Sequence, residues 1–164
     1  MSGFVASPPP AEPDPEAPEV PPFDLVAGDD WYPGITLTQI RDAVRVPTAV
    51  TDQRLRDAVR NAMLSVRREL RTWKTAWVAA GTAALVDVDD ETIDGESALE
   101  LLYRRAVCSY AAADLAETHG DIAATGDGRD RNAERAIPAD EHRRNATHAC
   151  RDILGVTRTS VELI

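Results

Sequence analysis

Large side chains are scarce in this 164-residue chain. It has three Trp, three Tyr, two Phe and two Met, and much of its 43% apolar content is alanine. A chain of this length can bury about two-thirds of its unfolded surface in one core, but alanine contributes little area per residue. A single copy is therefore expected to be modestly stable, and burial against further copies of itself would relieve the shortage. Cysteine is nearly absent. Cys108 and Cys150 stand in no CxxC or Cys/His cluster, so free buried thiols are expected, with a disulfide or a reactive thiol as the alternative. No run of 18 apolar residues occurs, so no membrane span is expected. The N-terminus lacks a basic and an apolar signal region, which points to a reducing cytoplasm.

Catalytic patterns are missing as well. The histidines are His119, His142 and His148. They form no H-x-x-x-H, and no Ser or Cys has a base at a recognisable spacing. The glycines at Gly126 and Gly128 are not followed by the GK[ST] of a phosphate loop. The acids Asp87, Asp89, Asp90, Glu91 and Asp94 do not follow the EF-hand spacing; a solvated loop with a helix cap is the expectation and a structural cation the alternative. The chain reads as a non-enzyme, with no cofactor and no metal.

What is abundant is acid and proline, unevenly placed. Nine of the eleven prolines lie in residues 1–34, and residues 1–30 hold seven acids with no Lys or Arg. Most of the net charge of −10 therefore sits at one end. Proline and like-charge repulsion favour an extended, polyproline-like arm over 1–34. It is either a solvated tail or docks through anchors such as Phe23, Trp31 and Tyr32, with Phe4, Val20 and Leu25 behind them. A near-neutral or acidic body does not have the clustered cations that tight duplex binding needs.

Residues 35–155 read as a helical domain. Thr36 and Gln39 form a capping box opening a first helix that ends before Pro47. A second helix runs from Thr51 or Asp52 to Ala80, stopped by Gly81. Its stripe is Leu55, Val59, Met63, Val66, Leu70, Trp73 and Trp77, roughly 45 Å long at 1.5 Å per residue. A third helix is expected from Asp94, as its cap, to about His119. Leu99, Leu102, Tyr103, Ala106, Val107 and Tyr110 recur there at three- and four-residue spacing, and Leu101 and Cys108 widen the stripe. Such a helix has to be covered on several sides. A fourth helix is expected over Arg129–Leu154, ended by Gly155, with Pro138 kinking it or starting a second segment. The fold class is all-α: four helices, the extended arm and a short β-type tail over 156–164. In that tail Thr157, Thr159, Val161 and Leu163 alternate with Arg158, Ser160 and Glu162, ending at Ile164. A lone strand is unstable, so the tail pairs either with Leu85–Val88 or, the favoured reading, with another chain by strand addition.

The run IDGESALELLYRRAVC between Ile93 and Cys108, with the downstream AAADLAE and the closing SVELI, resembles the head completion (GPL-type) protein family of tailed phages. The resemblance covers roughly Thr51 to Ile164. It implies a small adaptor that docks under the portal protein after DNA packaging, forms a ring of its own copies (dodecameric in related systems), seals the filled head and receives a neck or tail-terminator protein. Packaged DNA would pass through without sequence-specific binding. The location implied is the virion head–tail junction, reached from the host cytoplasm.

Candidate contact residues follow. The tail, Thr157–Ile164, is the candidate grip on partners, because adaptors of this kind use terminal tails so. Arg67, Arg68 and Arg71, in an Arg-rich stretch with Arg54, Arg56, Arg60 and Lys74 that is offset by Asp52, Asp57 and Glu69, are read as a solvated or interface face, with nucleic-acid contact as the alternative. Their complement would be the acidic loop 87–96 of an adjacent copy, with Asp89, Asp90 and Glu91 in it. Trp73 and Trp77, one turn apart, are core or an inter-subunit contact. The competing reading of the whole chain is a small helical DNA-packaging protein resembling a terminase small subunit.

Overall fold

A computed structural model of the protein describes residues 22–123 and 137–156. Among them the chain is mostly helical: five α-helices and two pairs of two-residue strands. The first pair, β1 (Leu25–Val26) and β2 (Ile35–Thr36), is antiparallel with Leu25 opposite Thr36 and Val26 opposite Ile35. It straddles residue 34, the end of the expected arm. Val26, Trp31, Tyr32 and Ile35 are all buried, so residues 25–36 contribute to the core.

Helix α1 (Leu37–Ala43) starts on the expected capping box. The Thr36 hydroxyl accepts from the Gln39 N–H at 3.1 Å and the Gln39 side chain accepts from the Thr36 N–H at 2.9 Å. The expected second helix is two helices, α2 (Asp52–Glu69) and α3 (Arg71–Ala79). The break falls at Leu70, whose ψ is 0°, against about −42° in a regular helix. Its position has a packing reason. Leu55, Ala58, Val59, Ala62, Met63, Val66 and Leu70 are buried, whereas α3 has no buried residue. The stripe leaves the core at Leu70, and the axis bends there. Gly81 ends α3 as expected: its N–H donates to Val78 O and that of Thr82 to Trp77 O, the Schellman pattern.

The helix expected from Asp94 begins four residues later, as α4 (Ala98–Ala123). Asp94 and Gly95 instead form the two-residue turn of a hairpin between β3 (Thr92–Ile93) and β4 (Glu96–Ser97). Both turn residues have positive φ, 54° and 81°, the requirement of a type I′ turn and the reason for an Asp-Gly pair. The Leu85–Val88 segment, offered as a strand partner for the tail, is a 3₁₀ turn over Leu85–Asp87 with Leu85 fully buried.

Helix α4 is the central helix. It packs against α2 and, more extensively, against α5 (Ala139–Ile153). Alanines at 106, 111, 112 and 113 of α4 and at 146 and 149 of α5 are buried, and their small side chains let the two axes approach closely. Pro138 is the N-cap of α5, in extended conformation, one position before the N1 place expected for it, and the expected helical stretch over 129–136 lies outside the described residues. The α5 C-terminus repeats the Schellman pattern, Gly155 N–H to Asp152 O and Val156 N–H to Arg151 O. Cys108 and Cys150 are free and buried; burial pushes the Cys108 thiol up to about 11 and raises that of Cys150 further, so both stay protonated.

Candidate docking site

The loop between β1 and β2 reads AGDDWYPG, and it is clamped onto α2, α3 and α4 through a few side chains. Gly28 permits the loop to close. A Cβ there would sit 2.0 Å from Tyr32 O, so no other residue fits. One turn of the loop is then held by Asp29, whose Oδ1 accepts from the N–H groups of Tyr32 at 2.6 Å and Trp31 at 3.1 Å. Its Oδ2 faces Arg67 at 3.4 Å and Lys74 at 3.6 Å. Burial alone would raise the Asp29 pKa. The backbone bonds from Tyr32 and Trp31, with the charges of Arg67 and Lys74, outweigh it and hold the carboxyl below its ordinary value.

Presented by this turn, Tyr32 stacks on Tyr103 of α4 with centroids 4.8 Å apart and 17° between planes, and Trp31 meets it edge-on at 6.5 Å. Arg67 lies over the Tyr32 ring at 5.2 Å and donates from Nε to the Tyr103 hydroxyl at 3.3 Å. Lys74 lies 4.9 Å from the Tyr32 centroid and 5.6 Å from that of Trp31. Burial raises both phenol pKa values, so both keep their protons. The partly exposed ion pairs each contribute about 0–1 kcal/mol, cation–π contacts about 0.5–1, and burial of each ring rather more. Ring burial holds the clamp; the charges orient it. Trp31 Nε1, Tyr32 Oη and Arg67 Nη2 are buried without a hydrogen-bond partner among the described residues.

Beside the clamp lies an open groove of about 390 Å³, lined by Asp29, Tyr32, Arg67, Arg71, Lys74 and Val78 among others. Three cations face one carboxylate, a local excess of positive charge on an acidic chain. Arg71 and Arg68 are exposed and make no ion pair among the described residues. Trp73 and Trp77 are half-buried on α3, edge-to-face at 6.1 Å, packed against the rim of the core. Val78 beside them is 50% exposed.

The structure thus brings Trp31, Tyr32, Arg67 and Arg71 together. Asp89, Asp90 and Glu91 lie in the exposed loop before the hairpin and pair with none of these arginines within the chain. Phe23 is exposed, with Arg56 over its ring at 5.2 Å; Arg56 also donates to the carbonyls of Phe23 and Leu25. Thr157–Ile164 lie outside the described residues. Sequence reasoning gave Asp29 no role, and it placed Tyr103 in the third helix's stripe and Arg56 and Lys74 in the Arg-rich stretch without joining any of them to this loop. Only Asp29 carried a local signal, an Asp two and three residues ahead of the N–H groups it holds. Among the described residues no group of three or more His, Cys, Asp or Glu could hold a metal ion, and no helix is long and apolar enough to cross a membrane.

The model of the phage head completion protein (GPL) family matches residues 26–164. The chain belongs to that family. The matched stretch begins at Val26, in β1, so the clamped loop is inside it. The head completion/stabilization protein of Escherichia phage P2 is 35% identical over 98 residues, 60% of this chain and 58% of the relative's own length. The chain thus spans a little over half of that relative in the match. No solved structure matches significantly. The family is one of structural phage head proteins, not of enzymes.

Proposed function

We propose that the protein is a ring-forming adaptor that docks under the portal protein after DNA packaging, stabilises the filled head and presents the attachment site for a neck or tail-terminator component. The observation that carries this reading is the family match across residues 26–164, joined to a relative named for head completion and stabilization. The chemistry supports binding rather than catalysis: a basic groove with an apolar wall, half-buried tryptophans beside it, and an alanine-rich core that gains from added burial. Copies of the chain, twelve in related rings, close around the portal channel, and packaged DNA passes through without sequence-specific contact. The tail 157–164 grips the portal or a neighbour by strand addition. The protein works at the head–tail junction of the virion, after synthesis in the host cytoplasm.

Filled heads prepared without this protein provide the test. Adding the purified chain should protect the packaged DNA from nuclease and restore tail attachment, with the protein cosedimenting with portal-containing heads only. No binding to such heads overturns the reading. Binding to free duplex that falls steeply with salt, without head binding, would favour the packaging-subunit reading instead.

A further inference from the structure

The groove beside the clamp and the loop after α3 are complementary, and among the described residues neither is fully paired. On the groove side, Arg71 is exposed and unpaired among the described residues, Lys74 and Arg67 share the single carboxylate of Asp29, and half-exposed Val78 forms an apolar wall beside the buried Tyr32. On the loop side, the acids Asp87, Asp89, Asp90 and Glu91 are exposed and make no ion pair among the described residues. Exposed Val86 and Ile93, at 47% and 57%, flank them. The loop is also held in shape. Its start is tied to the clamp by Leu85 N–H to Trp31 O at 3.0 Å, Asp87 accepts from Ala84 N–H, and Asp89 from Glu91 N–H. A loop already ordered loses less entropy on docking.

We infer that the groove lined by Tyr32, Arg67, Arg71, Lys74 and Val78 receives the acidic loop 86–93 of a second copy of this chain. Carboxylates of the loop meet Arg71 and its neighbours, while Val86 or Ile93 covers Val78. Opposite charge steers the encounter and fixes register; the apolar contact supplies burial. Groove and loop are different surfaces, so each copy offers one of each, and the contact propagates head to tail until it closes. The inference rests on the self-assembly part of the proposed function and names the surfaces that meet.

The test uses the full chain and charge reversal at exposed positions. The groove variant carries Arg71→Glu and Thr75→Glu; the loop variant carries Asp90→Lys and Glu91→Lys. Circular dichroism checks that both fold. In sedimentation velocity over a concentration series, the wild-type chain should associate more at low than at high salt. Each variant alone should weaken association roughly tenfold or more, because like charges now face each other, and an equimolar mixture of the two should restore it. Unchanged association of either variant, a mixture that stays dissociated, or a wild-type chain that remains monomeric throughout overturns the inference. Binding of the wild-type chain to filled heads is scored separately, so failure of this contact and failure of the adaptor reading give different results.

Discussion

When Asp29 is replaced by alanine, the N–H groups of Trp31 and Tyr32 lose their acceptor, and Arg67 and Lys74 lose their counter-charge in the same step. The expected cost is about 1–3 kcal/mol, read as a lower urea midpoint. Asp29→Asn keeps an acceptor oxygen and removes the charge, which isolates the pH dependence. Since the folded carboxyl titrates below its ordinary value of 3.8, its stabilisation is complete above that value and is lost as the pH falls through the lower, folded one. The wild-type protein should therefore lose stability over that acid range, and the asparagine variant should lose less there. Gly28→Ala is a harsher change, because the clash is with backbone at 2.0 Å. The loop must then open, and Trp31 fluorescence should shift toward that of a solvated indole.

At the level of elements, local chemistry was legible and long-range packing was not. The capping box at Thr36 and Gln39 and the stops at Gly81 and Gly155 depend on neighbouring residues, and each lies where the sequence placed it. Asp94-Gly95 was ambiguous, since an Asp before acids and an apolar run suits a helix cap as well as a hairpin turn. Strands of two residues are too short to show alternation, so only the pairing decides. The break at Leu70 is a tertiary effect, as nothing in RELRTW interrupts helical periodicity. Tyr32 could not be assigned to the core from a proline-rich context, because its partners Arg67 and Tyr103 come from distant segments. The bend predicts unequal costs on its two sides. Leu70→Ala removes a fully buried side chain and should cost about 2–5 kcal/mol. Trp77→Ala, on the half-buried helix, should cost less than the roughly 3–5 kcal/mol of a core aromatic while impairing assembly more. Thermal melts and sedimentation of the two variants check the ordering.

For the whole molecule, the described residues bury their apolar groups in one cluster running from Val26 to Ile153, and the last helix is closed by its own cap at Gly155 and Val156. Deleting residues 157–164 is thus expected to leave helical circular dichroism nearly unchanged while abolishing attachment to portal-containing heads. Cooperative unfolding on the same deletion would show that the tail belongs to the fold. The bend at Leu70 also has a kinetic consequence. A helix with no buried residue beyond the end of the core opens at lower free energy than α2 or α4. Its amides take up deuterium by opening locally, ahead of the global transition, and a neighbour seated against α3 would register there first as slowed isotope uptake.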